Sequence, residues 1–290
     1  MNCQVNCQVT RDRRSFAWVS TALWLGLSGV AFGQAHQPAS GTTAPAPPPP
    51  TPQEAAPIDL TGYWVSIITE DWRWRMVTPA KGDYASVPIS LDAKKVADMW
   101  DPAKDEAAGE QCKSYGAPAI MRVPGRLHIT WQDPNTLQVE TDAGRQIRLF
   151  HFGAWTPPSD APATWQGDSV ATWENPRPVG GGGGVGPTQA EQGRGAAPTD
   201  KDVAKHGDLK VVTTHIRPGY LRKNGIPYGA SAAMTEYWDL NKETNGQQWI
   251  VITALVNDPV YLQTEWVTAL HFKKEPDGSK WDPSPCSSRW

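Results

Sequence analysis

Between Leu127 and Phe272 the chain keeps returning to a period of two, in short segments joined mostly by tight polar turns. Successive side chains of a strand point to opposite faces, so such a pattern commits each segment to a half-buried strand and excludes a helical architecture. Leu127, Ile129 and Trp131 share one face, Asp133-Pro134-Asn135 turns the chain, and Leu137, Val139 and Thr141 return opposite Gln138, Glu140 and Asp142. After Ala143-Gly144 the next segment puts Ile147, Leu149 and His151 on one face and Gln146 and Arg148 on the other. Leu209, Val211, Thr213 and His215 then oppose Lys210, and Met234, Glu236 and Trp238 oppose Thr235 and Asp239, a phase that points Glu236 inward. With an earlier strand at Gly62 to Thr69, the expected fold is mainly β, an antiparallel up-and-down barrel of about eight strands.

The N-terminus bears on compartment. Arg11, Arg13 and Arg14 precede an apolar run from Ala17 to Phe32, and Ala31-Phe32-Gly33 before Gln34 offers small residues where a signal peptidase reads. Residues 1–33 are therefore expected to be a signal peptide, and the mature protein to be periplasmic or secreted. Ser20, Gly26, Ser28 and Gly29 interrupt the run, which is too short for a membrane span. Arg13-Arg14-Ser15-Phe16 resembles a twin-arginine export signal, with Asp12 in place of the usual Ser or Thr and no following Lys. The twin-arginine and the general secretory routes both stay open.

A formal net charge of −3 and 20% charged residues give no electrostatic footprint for nucleic acid. Cys3 and Cys7 fall in the leader, which leaves Cys112 and Cys286; two cysteines in an oxidising compartment are expected to form one disulfide. Closing so long a loop stabilises by at most about 5 kcal/mol on the chain-entropy model. Residues 34–57, containing Pro47-Pro48-Pro49-Pro50, read as a Pro/Ala-rich disordered linker that buries nothing. Residues 175–207, with Gly180 to Gly184 and Gly193 to Gly195, read as a disordered insertion in a single barrel domain spanning 58–290. No Gly-Lys-Ser/Thr follows those glycines, so they are not a phosphate cradle. Ser90 is a good N-cap for a helix from Leu91 to Trp100, with Leu91, Val96 and Met99-Trp100 on one side, and Asp101-Pro102 opens a second short helix. One or two short helices are thus expected to plug or flank the barrel.

Several of these residues together carry a resemblance. Cys112, Tyr115-Gly116-Ala117-Pro118, Met121-Arg122 and Pro124 are followed by Gly167-Asp168-Ser169, Trp173-Glu174 and Gly207-Asp208-Leu209-Lys210-Val211-Val212-Thr213-Thr214. Met234-Thr235-Glu236-Tyr237-Trp238, Asn257-Asp258-Pro259, Tyr261 and Trp266 continue the pattern. Over residues 60–271 the chain resembles exported bacterial lipocalin-like (calycin-like) proteins, a resemblance that implies a barrel but supplies no reaction. The glycine-rich stretch between Glu174 and Gly207 departs from that pattern, which leaves the pairing of its flanking strands in question.

Strict up-and-down alternation would gather His151, Asp168, His215, Glu236, Asp258 and Trp266 at one mouth, under the long loops Gly153 to Gln166 and Arg217 to Ala233. There His215 and Glu236 form a candidate acid–base pair. Trp131, His151, Asp168, Trp238, Asp258 and Trp266 are the candidate ligand contacts. Plainer roles exist for each: Asp168 and Asp258 beside Gly or Pro suit turn caps, the tryptophans suit core, and His215 with Glu236 suits a buried structural pair. The histidines lack a short metal spacing, and no metal or cofactor is expected. Binding of a small, largely apolar or aromatic molecule in a Trp-lined cavity is the leading expectation. A barrel enzyme of hydratase, lyase or isomerase type is the alternative, and a carbohydrate-binding module using Trp155, Trp165 and Trp266 a weaker one. Neither a nucleic-acid partner nor an integral span after leader removal is expected, and the sequence leaves the oligomeric state open.

Overall fold

The structure, a computed structural model, describes residues 48–174 and 208–289. The expected leader, most of the Pro/Ala-rich linker and the glycine-rich insertion at 175–207 lie outside the described residues. Eleven strands are present among them: β1 Gly62–Ile67, β2 Arg126–Asp133, β3 Thr136–Thr141, β4 Ile147–Phe152, β5 Asp168–Trp173, β6 Leu209–Thr214, β7 Gly219–Tyr220, β8 Pro227–Tyr228, β9 Ala233–Lys242, β10 Gln248–Asn257 and β11 Trp266–Lys274. Nine of these close into a barrel in the order β1-β11-β10-β9-β6-β5-β4-β3-β2, and β7 with β8 forms a separate small hairpin. The mainly β barrel expected from the period of two is what the chain forms, with nine strands in place of about eight.

Nine is odd, and a ring of strands cannot reverse direction an odd number of times and close. One neighbouring pair must be parallel. That pair is β4 with β5, joined by three register partners (Phe150 with Ser169, His151 with Val170, Phe152 with Ala171), and every other barrel pairing is antiparallel. The strict alternation expected from the sequence therefore fails at one seam. The connection from Gly153 to Gly167 has to return the chain to the end where β4 began, and it meets that end through Ala117 N–H to Trp165 C=O (2.8 Å) and Arg217 N–H to Thr164 C=O (2.7 Å). Across the glycine-rich insertion the pairing question is answered: β5 and β6 are neighbours, Trp173 facing Leu209, and the Glu174 N–H donates to Asp208 C=O at 3.0 Å.

The interior is full. Leu127, Ile129, Leu137, Val139, Phe150, Leu209, Val211, Trp238, Ile250, Ile252, Leu270 and Phe272 are all buried in one cluster. Leu60 joins it from the N-terminal segment, and Tyr115, Ile120, Met121 and Val123 from the segment that links β1 to β2. Pro52 C=O accepts from the Trp173 indole at 2.7 Å, and Ala56 and Ile58 pack on the core, so the end of the expected linker buries surface after all. In β4 the sequence-based phase is inverted: Arg148, Phe150 and Phe152 are buried while Ile147 is half exposed. Both faces of that strand carry apolar residues, and the charge at Arg148 made the wrong face look like the outer one.

Three connections gather at one end, which we call the cap end: 68–125, 215–232 and 258–265. In the first lie α1 Trp72–Arg75, α2 Leu91–Asp98, α3 Pro102–Ala107, a 3-10 helix at Gln111–Tyr115 and α4 Ala117–Ile120. Ser90 caps α2 by accepting from Ala93 N–H at 3.1 Å, and Asp101 caps α3, as their positions in the sequence predict. The buried face of α2 is Ala93 and Ala97, however, and Leu91 and Met99 are exposed; the helix lies along the cap, and the 3-10 helix and α4 supply the plug. The chain after β11 lays Trp281 edge-on to Tyr63 and His128 and ends with Cys286 bonded to Cys112.

Candidate functional site

His215 and Glu236 do not meet. Glu236 lies in the lumen, fully buried, where Arg148 grips it with two hydrogen bonds (Nη1 to Oε1 3.0 Å, Nη2 to Oε2 2.5 Å). Ser169 and Thr213 extend the group, their hydroxyls 2.8 Å apart and Thr213 Oγ1 3.4 Å from Arg148 Nη2. His215 adopts a left-handed backbone (φ 53°), which ends β6 at Thr214 and turns the ring outward, breaking the alternation that would have carried it inside. Its Nδ1 stands 2.7 Å from Asp168 Oδ2, and both side chains are partly exposed. Two separate pairs thus replace the expected one. In the first, a bidentate ion pair sealed from water, the carboxylate is fully engaged; in the second, a carboxylate fixes one ring nitrogen of a partly exposed histidine.

The parallel seam sets His151 opposite Val170, two residues along the strand from Asp168, and the ring is stacked on Trp155 (centroids 4.0 Å) beside Thr136; burial lowers its pKa against the pull of Asp133 and Asp168. Trp131 lies in a cluster with Phe152 and Trp173. Trp238 is fully buried, edge-on to Phe150 at 5.4 Å. Neither ring lines the cavity at the cap end.

A cavity of about 570 Å³ opens at the cap end instead. Val96 of α2, Pro218, Pro227 and Val260 give it apolar walls, and Lys113, Tyr220, Ser231 and Tyr261 give it polar groups. Asp258 builds part of this wall: its Oδ2 accepts from Gly229 N–H (2.6 Å) and its Oδ1 from Val260 N–H (2.9 Å) and Tyr261 N–H (3.2 Å), and all three donors are lining residues. The turn-cap role available to Asp258 is thereby also a positioning role. On the far side the Tyr228 ring is wedged between two backbones, for a Cβ on Gly116 or Gly219 would stand 2.0 or 2.6 Å from its hydroxyl. Lys113 is neutralised by Asp105 at 2.8 Å, and burial together with Asp105 raises the pKa of Tyr220, keeping it protonated. The lining is therefore close to neutral in charge.

Trp266, the last of the expected contacts, is buried in the same cap on its other side. Its indole donates to Ser86 C=O (3.0 Å), and the guanidiniums of Arg122 and Arg222 lie 4.9 and 5.9 Å from its ring centre. Sequence reasoning missed Arg148 because of the ambiguous face of β4. It missed the cap residues because they come from irregular segments in which no period marks a buried side. One signal was present, the alternation of aromatic and cationic residues in Trp72-Arg73-Trp74-Arg75. Among the described residues, no group of three His, Cys, Asp or Glu side chains is placed to hold a metal ion, and no helix is long and apolar enough to cross a membrane. No family model, no curated protein and no solved structure matches the chain.

Proposed function

We propose that the chain is an exported, lipocalin-like barrel protein that binds a small, uncharged, largely aromatic or apolar molecule, and that the molecule sits in the cap-end cavity and not in the lumen. One observation carries this reading: a recess of about 570 Å³ with apolar walls and a few convergent polar groups, inside the size range of ligand sites. The filled lumen supports it, since Phe150 and Trp238 occupy the space in which the sequence suggested a ligand would lie. So does the neutralised Lys113, which leaves phenol hydroxyls and the Ser231 hydroxyl as the directional partners. Export rests on the leader reading and the family resemblance.

The test is native mass spectrometry of the protein purified from its own compartment, beside a Val260→Glu variant. Val260 is more than half exposed at the rim, so the change leaves folding intact while placing a charge against the ligand. Retention of a small molecule by the natural chain and its loss from the variant is the expected result. Equal retention by both, or amide shifts confined to lumen residues when phenol or indole is titrated in, would overturn it. A second reading, acid–base chemistry, is favoured by the partly exposed His215 ring held on Asp168. The two readings separate on the fate of the retained molecule: unchanged on long incubation for a binder, converted for an enzyme, with conversion abolished in His215→Gln.

A further inference from the structure

On the other face of the β7–β8 hairpin the cap buries four cations around one small hollow. Arg75, Arg122, Arg222 and Lys223 line it with Trp74, Ser114 and Leu221, and its free volume is about 20 Å³. All four side chains belong to residues less than a tenth exposed. Each has a packing partner: Arg75 Nε donates to Arg122 C=O (2.9 Å), Arg222 donates to Ala85 C=O (2.7 Å) and Ser86 Oγ (2.8 Å), and Lys223 Nζ donates to Tyr115 Oη (2.7 Å). Charge is another matter. Among the described residues the three guanidiniums share a single carboxylate within 4.0 Å, Asp71, at 2.7 Å from Arg122 and 4.0 Å from Arg222. Arg75 has none within that distance, Glu70 and Asp71 acting on it only from farther away, and its Nη1 and Nη2, both buried, have no hydrogen-bond partner.

Burying a charge without a counter-charge costs several kcal/mol, and a fork of buried donors left empty adds to that cost. A chain needing only structural bulk here would be better served by Met or Leu. We infer that this hollow is an oxyanion site, taking inorganic phosphate, sulfate or the phosphate head of a larger molecule on the paired donors of Arg75, with Arg122, Arg222 and Lys223 around it. Guanidiniums suit that chemistry because their planar N–H forks match oxyanion edges. The hollow is compact, so only the charged group of a larger molecule enters. Stacking of Arg222 on Trp74 (4.6 Å) and of Arg122 on Trp266 holds the cationic planes in place. The cations press on one another: burial and repulsion from Arg122 lower the pKa values of Arg75 and Arg222 to about 10, and burial lowers that of Lys223 to about 8.

Inorganic phosphate titrated into the full chain at constant ionic strength is expected to bind with one-to-one stoichiometry, to raise the melting temperature by about 5 °C or more at saturation, and to change the fluorescence of Trp74 and Trp266. Arg75→Met is expected to fold, with a phosphate-free melting temperature no lower than that of the natural chain, and to lose both responses. Arg75→Lys keeps the charge without the fork and is expected to weaken binding about tenfold. Phenyl phosphate separates the sources: binding of both probes marks a headgroup site, and binding of inorganic phosphate alone marks a site for the free ion. No response to millimolar phosphate or sulfate in the natural chain, or an undiminished response in Arg75→Met, would overturn the assignment.

Discussion

Arg148 and Glu236 show how much a single misplaced side chain changes the reading of a barrel. The carboxylate was legible as inward-facing from Met234, Glu236 and Trp238, and the structure buries all three. Its partner was not, because Ile147 and Leu149 made the opposite face of β4 look like the inner one. A buried pair of this kind owes its retention to geometry more than to net stabilisation, since two desolvation costs offset the attraction. Breaking it is a different matter. Arg148→Met or Glu236→Leu alone is expected to lower stability by about 3–5 kcal/mol, by leaving one charge unpaired in the lumen. The double variant is expected to recover most of that loss, and urea denaturation of the four chains measures the coupling directly. His215 teaches the complementary lesson: a period of two holds only while the backbone is extended, and one left-handed residue ends it.

At the scale of elements, the strands were readable and their directions were not. Period and turn residues locate β2, β3, β6 and β9 closely, because each buries one face and its register is pinned by that burial. Whether two neighbours run parallel depends on where a connection returns, and nothing local in Gly153 to Gln166 says so. The resulting seam is thin. Three register pairs join β4 to β5, against ten between β9 and β10. Native-state hydrogen exchange is therefore expected to show the amides that bridge β4 and β5 opening at lower free energy than those of β9 and β10. Uniform protection of both would mean that the packed lumen, and not the ladder, sets local stability. The helices follow the same division. Ser90 and Asp101 announce where α2 and α3 begin, whereas the buried face of α2 is lined by alanines, which a search for large apolar residues passes over.

At the largest scale, the described residues form a barrel whose lumen is packed with buried side chains and whose cap end holds a recess of about 570 Å³. The sequence suggests a lumen for function, as eight strands and many tryptophans would; nine strands and inward-facing aromatic rings fill it, and recesses form where the three cap-end connections meet. Those connections are tied to one another by short bonds such as Ser90 N–H to Tyr261 C=O and Asn224 Nδ2 to Asp83 C=O. Cys112 to Cys286 fastens the C-terminal tail to the same cap. Such a cap is assembled from parts far apart in the chain, which is why the sequence alone did not disclose it.

The hydrogen bond from Glu174 to Asp208 has a further meaning. It brings the two flanks of residues 175–207 within the span of a hairpin. Exchange of that stretch for a tight Asn-Gly turn is expected to leave the fold unchanged and to stabilise it by about 2.5 kcal/mol, the closure entropy of roughly four halvings of loop length. Thermal unfolding of the shortened chain checks this, and loss of folding would show that the stretch contributes contacts of its own. By the same reasoning the position is a docking port in the making: a lineage could lengthen, recode or replace this segment, or an engineer could splice in a fluorescent reporter or an affinity tag, while the strands on either side keep their register.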